Sequence, residues 1–200
     1  MSDTATGSPE SGTKRDDIVR TAATLFFRDG YHATGIDRII ENAAVAKATM
    51  YRHFASKEEL ILDVLSSHAA RFAREVDALV DAASTVEAKV DAVFGWYEEW
   101  FGRTNFNGCM FAHAMAEHNA PTSRIFQAVV EQKEGVRSRL KAIVEERVPA
   151  ARAEELAWQL LMLLEGATLT AQMGASAIAI GIARDAALHL LATNLSPQAQ

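Results

Sequence analysis

The sequence predicts an all-α chain, and three observations carry that reading. Apolar residues recur at three- and four-residue spacing along most of the 200 residues, no run alternates convincingly at period two, and capping residues, glycines and prolines punctuate the pattern. Residues 16–29 place Ile18, Ala22, Leu25 and Phe26 on one face and stop at Gly30, a residue suited to the position after a helix. Two short helices fit 36–42 and 47–54 around a tight turn at 43–46. Ser56 followed by Glu59 forms a capping box and opens a long helix from Lys57 toward Leu79. A second such pair, Ser84 and Glu87, opens a helix that carries Val90, Val93, Phe94 and Tyr97 to Phe101. After the glycine-bounded linker 102–108 come helices over 110–118 and about 122–148, the latter between Pro121 and Pro149. The last two, 151–173 and 176–195, are separated by Gly174.

Composition bounds the possibilities. At 49% apolar, the chain can bury the core of one or two domains. A single cysteine excludes an internal disulfide framework and suits a reducing cytoplasm. Residues 1–14, rich in Ser, Thr and Gly, read as a disordered leader, and nothing resembles a signal peptide or membrane span. The apolar run 175–182 is too short to cross a bilayer. Net charge is −6, but Lys14 to Lys57 holds eight lysines and arginines against five acids, leaving −9 elsewhere. A cationic head on an acidic body meets a phosphate backbone by its head alone.

Within that head, 36–42 and 47–54 have the layout of a helix-turn-helix, one helix bracing and the next entering a DNA groove. The second exposes Lys47, Thr49, Tyr51, Arg52 and His53, while Ile36, Ile39, Ile40, Ala44, Val45 and Phe54 are expected to be buried. Lys47 stands at the start of its helix, where a long cation reaches a base edge or a phosphate, and Thr49 offers a hydroxyl or methyl to a base. Lys57 opens the following helix, where side chain and free backbone N–H groups favour a phosphate. Thr34 is expected to cap the first helix and to touch phosphate, with Gly35 the alternative cap. Arg38 faces solvent or DNA.

The order Gly30-Tyr31-x-x-Thr34, Ile36-x-x-Ile39, Ala43-x-Val45-x-Lys47-x-Thr49-x-Tyr51-x-His53-Phe54-x-Ser56-Lys57-Glu58-x-Leu60 resembles the N-terminal DNA-binding domain of the TetR family of transcriptional regulators. The matched stretch runs from about Asp16 to Leu65. Ala46 and Ala48 stand where that family often has Ser and Gly, and Met50 where it often has Leu; all stay small or apolar. The resemblance implies three helices over 15–62 for double-stranded DNA and a helical effector-binding and dimerisation domain over 63–200. It implies that Tyr51 and His53 hold phosphates with Arg52 near base edges. It also implies repression of a palindromic operator, relieved by a small molecule bound in the body.

That body concentrates Trp96, Tyr97, Trp100, Phe101, Phe106, Met110, Phe111, Met115 and Phe126 within three neighbouring helices. Each suits a core, but together, beside Glu99, Asn107, His113, Glu117 and His118, they suit an apolar or aromatic effector with a few polar anchors. Trp158, Met162 and Gln172 are expected to complete the wall. His113 and Glu117 share a helical face as metal ligands would, but His118 points elsewhere, so no metal or other cofactor is expected. Cys109 and His113 lack an orienting partner, and neither a nucleophile elbow nor a phosphate loop occurs, so no catalytic residue is assigned. A helical small-molecule enzyme and a dimeric scaffold that binds no DNA remain the alternatives.

Leu156, Leu160, Leu161, Leu163 and Leu164, with Gly166 and Ala167, then Ile178, Ile182, Ala186, Leu190 and Leu191, exceed what one solvated layer requires. Two copies bury such faces as a four-helix bundle, so a homodimer through 151–195 is expected, matching two recognition helices to two half-sites.

Overall fold

Thr13, at the edge of the expected leader, caps the first helix: its hydroxyl accepts from the Asp16 N–H while the Asp16 carboxylate accepts from the Thr13 N–H at 2.9 Å. The computed structural model describes residues 13–195, so the leader lies outside the described residues except for Thr13 and Lys14, which are ordered into this cap and helix. The described residues form α1 (Lys14–Asp29), α2 (Ile36–Asn42), α3 (Lys47–His53), α4 (Lys57–Asp81), α5 (Val86–Phe101), α6 (Met110–Glu117), α7 (Arg124–Glu145), α8 (Ala150–Thr170) and α9 (Ser176–Leu195). No strand occurs among them; the chain is all-α. It divides within α4 into two compact units, one ending at Val64 and the other starting at Leu65.

In the first unit α1 packs against α2 and α3, burying Ile18, Ala22, Leu25 and Phe26. Phe26 stacks on Tyr31, ring centres 5.1 Å apart, so the loop after α1 is pinned by its own first aromatic. Neither short helix has a side-chain cap; Gly35 and Ala46 occupy the cap positions. Seven residues without caps do not hold a helix in water, so burial of Ile39 and Met50 against α1 must supply what local structure lacks. The first turns of α4 add Leu60, Ile61 and Val64 to the same core. Its start is capped by Ser56, whose hydroxyl accepts from the Glu59 N–H at 3.1 Å. The Glu59 carboxylate reaches one residue further back than a standard capping box, to the Ala55 N–H at 3.0 Å.

The second unit is built on α5, α7, α8 and α9. Val90, Phe94 and Tyr97 of α5, Val136, Leu140 and Val144 of α7, Leu156, Leu160 and Leu164 of α8, and Ala183, Ala187 and Leu191 of α9 share one core. Each large side chain there contributes about 1.5–3 kcal/mol by leaving water. Arg184 of α9 closes the outside of this core with a fork on Asp91 of α5, both nitrogen–oxygen distances 2.6 Å. The hydrogen bonds from Arg184 hold the Asp91 carboxyl below its ordinary range.

Some expected boundaries shift. Thr85, not Ser84, caps α5, its hydroxyl accepting from the Ala88 N–H at 3.1 Å. Helix α7 ends at Glu145, and Pro149 sits at the cap of α8 instead of terminating α7. Gly174, with φ 94°, breaks the chain between α8 and α9, but across a π-type turn over Ala171–Ala175. By length and apolarity alone Ala150–Leu195 would suffice to cross a membrane. Gly174 interrupts it, and α9 packs back on α8.

Candidate nucleic-acid interface

The turn between α2 and α3 sets the surface. Ala44 has φ 51° and is exposed, contrary to the burial expected for it, because closing the turn through the Val45 N–H and Ile40 carbonyl (3.3 Å) takes the chain through the left-handed region. Its neighbour Ala43 is the buried one. Of the other residues expected inside, Ile39 and Phe54 are buried and Ile36, Ile40 and Val45 are half-buried. Met50 completes the seam with no exposure at all.

With Met50 pointing inward, the opposite side of α3 faces out. Lys47 and Arg52 are exposed, Tyr51 keeps 47% of its surface, and Thr49 and His53 are half-buried. The Lys47 ammonium lies 3.2 Å from the Asp37 carboxylate of α2. Half-buried Lys57, at the start of α4, donates to the His32 carbonyl at 3.3 Å, which ties that helix start to the loop before α2. Arg38 meets Asp29 at 3.1 Å.

Thr34 departs from expectation. It is fully buried, donates to the Gly30 carbonyl at 2.7 Å and reaches that of Leu25 at 3.3 Å. Gly35 is the cap of α2, so the Thr34 side chain secures the end of α1 instead of facing solvent.

In the second unit the aromatic residues meet one another. Trp96 packs edge-on to Phe72 with ring centres 4.8 Å apart and donates its N–H to Glu75 at 2.8 Å. Trp100 lies 5.1 Å from Phe106, which continues to Phe101 at 5.0 Å. Met110 and Phe111 of α6 are buried, and His113 is joined to Gln172 at 3.0 Å between ring and amide nitrogens. Glu117, half-buried, lies one turn further along α6. Trp158 and Met162 do not complete this wall: both are exposed on the outer face of α8, Trp158 beneath the Arg137 guanidinium at 5.3 Å.

Two arrangements escaped the sequence reading. Lys133 of α7 donates to Glu165 of α8 at 2.7 Å and to the Cys109 sulfur at 3.5 Å. Burial, then the charges of Glu165 and Cys109, push the nearby Tyr97 hydroxyl well above its ordinary range. These four come from four separate segments, and no local spacing announces them. The other is the outer face of α8 and α9, where Met162, Leu163, Gly166, Ala167, Thr170, Ile178, Ala179, Ile182 and Ala183 line an open groove of about 270 Å³. Ile178 and Ile182 each keep 66% of their surface and Met173 keeps 79%. Leu156, Leu160, Leu161, Leu164 and Leu191, expected on this outer face, are instead inside the unit. Among the described residues no cluster of three or more His, Cys, Asp or Glu could hold a metal ion.

Residues 18–64 match the family model described as bacterial regulatory proteins, tetR family. The chain is 35% identical over 89 residues to the HTH-type transcriptional activator FasR of Mycolicibacterium smegmatis, covering 42% of this chain and 41% of that one. It is 43% identical over 53 residues to the regulator TcmR of Streptomyces glaucescens, 26% and 24% of the two chains. The transcriptional repressor KstR2 of M. smegmatis is 27% identical over 85 residues, 42% of each chain. These matches span between about a quarter and a half of the relatives' own length. Over the whole fold, a TetR-family regulator from Streptomyces coelicolor superposes with TM-score 0.85 at 24% identity, covering 92% of this chain and 96% of that one. A related Streptomyces avermitilis protein gives 0.78 at 25% identity, covering 92% and 98%.

Proposed function

The chain belongs to the TetR family of bacterial regulatory proteins, and from that premise we propose that it is a cytoplasmic, ligand-responsive transcriptional regulator that binds duplex DNA as a homodimer. The observation that carries this is α3: Met50 anchors its inner side while Lys47, Tyr51 and Arg52 are exposed and Thr49 is half-buried beside them. In this reading Tyr51, His53 and Lys57 hold phosphates, and Lys47, Thr49 and Arg52 address base edges. Thr34 supports the loop from within. Dimerisation uses the outer apolar face of α8 and α9, Trp158 and Met162 included, and a two-fold pair of reading helices suits an approximately palindromic operator.

The effector reading places an apolar or aromatic small molecule among α5, α6, α7 and α8, beside Trp96, Trp100, Met110, Phe111, His113 and Glu117. Lys133, Glu165 and Gln172 supply polar anchors. A ligand that fits only when these helices are displaced from the arrangement the operator favours opposes operator binding by the same factor that the operator opposes ligand binding. Release of repression is the sign proposed; the relatives include both an activator and a repressor.

Fluorescence anisotropy with the upstream intergenic DNA of its own gene tests the reading. Specific, salt-sensitive binding is expected, lost on combined Lys47→Ala, Tyr51→Ala and Arg52→Ala substitution. Equal binding to every duplex, or indifference to the triple substitution, would sink it. For the effector, tryptophan-fluorescence titration followed by operator competition is the measurement; a tight ligand that leaves operator affinity unchanged removes the regulatory part.

A further inference from the structure

We propose that Asp37 and Lys47 act as one donor–acceptor unit that reads a G·C base pair in the major groove, making Asp37 a specificity-determining residue. The inference rests on the DNA-binding reading above. Asp37 stands in the first turn of α2 and Lys47 opens α3; the turn over 43–46 brings them together, ammonium to carboxylate 3.2 Å. Their side chains are 85% and 66% exposed, so neither serves the core, and an exposed ion pair adds little to stability.

Attraction to phosphate does not account for the pair. A surface that docks on a polyanion gains from cations and loses from a carboxylate beside its leading lysine. Base edges supply a reason. In the major groove a G·C pair presents the guanine N7 and O6 acceptors next to the cytosine N4 donor. An ammonium suits the first two and a carboxylate the third. Guanine O6 and cytosine N4 are themselves hydrogen-bonded, at the ordinary nitrogen–oxygen separation of about 2.9 Å, close to that between Lys47 and Asp37. An A·T pair offers acceptor, donor, acceptor, with the thymine methyl beside the last, so Lys47 meets only one acceptor there. The carboxylate also repels backbone phosphates, so Asp37 weakens generic binding while sharpening one position of the operator.

The test selects a preferred duplex from a randomised library with the full chain, then titrates wild type, Asp37→Ala and Lys47→Ala against that duplex and its single base-pair substitutions. Wild type is expected to prefer G·C about tenfold at one position of each half-site. Both variants should flatten that same position. On generic duplex, Asp37→Ala should bind more tightly than wild type and Lys47→Ala more weakly, an opposition of sign that a merely structural role for Asp37 would not produce. Thermal melting checks folding, and Asp37→Asn, isosteric and uncharged, repeats the generic-duplex comparison if the alanine variant melts early. An unchanged preference profile in Asp37→Ala, flattening at different positions, or generic binding weakened by loss of the carboxylate overturns the proposal. A wild-type protein that selects no sequence overturns the DNA-binding reading instead.

Discussion

Lys133 and Glu165 are 32 residues apart, yet their charged groups meet at 2.7 Å and tie α7 to α8. Lys133→Met leaves the carboxylate half-buried without this cation, and destabilisation of about 1–3 kcal/mol is expected in urea unfolding. Glu165→Leu added to it should recover part of the loss, because no charge is then left behind. Burial works to lower the Lys133 pKa, but the charges of Cys109 and Glu165 and their hydrogen bonds outweigh it, and the folded value is raised. The contribution is therefore complete below the unfolded lysine value of about 10.4 and is lost as pH climbs through the folded one. Wild type and Lys133→Met should differ most at neutral pH and converge only in strong alkali.

Thr34→Val preserves shape and removes the hydroxyl that donates to Gly30 and reaches Leu25. A loss of about 1–3 kcal/mol is expected. Hydrogen exchange should show it confined to residues 13–64, with DNA affinity falling only as far as that unit unfolds.

His68 gives an acid-limb prediction. Burial, reinforced by Arg71 and opposed by Glu75, lowers its folded pKa, so the unfolded chain binds the proton more readily. Stability from this residue is present above the unfolded value of about 6.5 and falls as pH drops through the interval down to the folded value. Melting temperatures of His68→Gln from pH 7.5 to 5 should decline less steeply than those of wild type.

Ile178→Glu and Ile182→Glu test the outer face of α8 and α9. Both positions are exposed in the single chain, so its melting should change little at low concentration. Placing a carboxylate in an apolar interface should cost roughly 2 kcal/mol or more per copy. Sedimentation should then show monomer where wild type is dimeric, and a dimer that survives both substitutions would move the interface elsewhere.

Helix placement was legible in the sequence because spacing and punctuation are local. Ile36–Asn42 was readable from end to end, and α3 to within its last residue. Cap choice was less so: Ser84 and Thr85 are chemically alike, and only the backbone path selects Thr85. Thr34 read as a cap because its type suits one; that its hydroxyl turns back to α1 depends on the path of the loop after Gly30. Trp158 and Met162 read as effector wall because apolar type says a residue seeks cover but not whose, and both are exposed on α8. The Lys133, Glu165 and Cys109 cluster depends on how α6, α7 and α8 pack, which no window of sequence contains.

Since α2 and α3 carry no side-chain caps and are held through Ile39 and Met50, the proposed reading surface and the scaffold are separable inheritances. Lys47 and Arg52, both exposed, can drift in sequence without loosening a core they do not enter. Gene duplication could thus reassign a copy to a new promoter by a few exterior changes, whereas exchanging the whole seven-residue helix would put the Met50 anchor at risk and with it the unit that presents the surface.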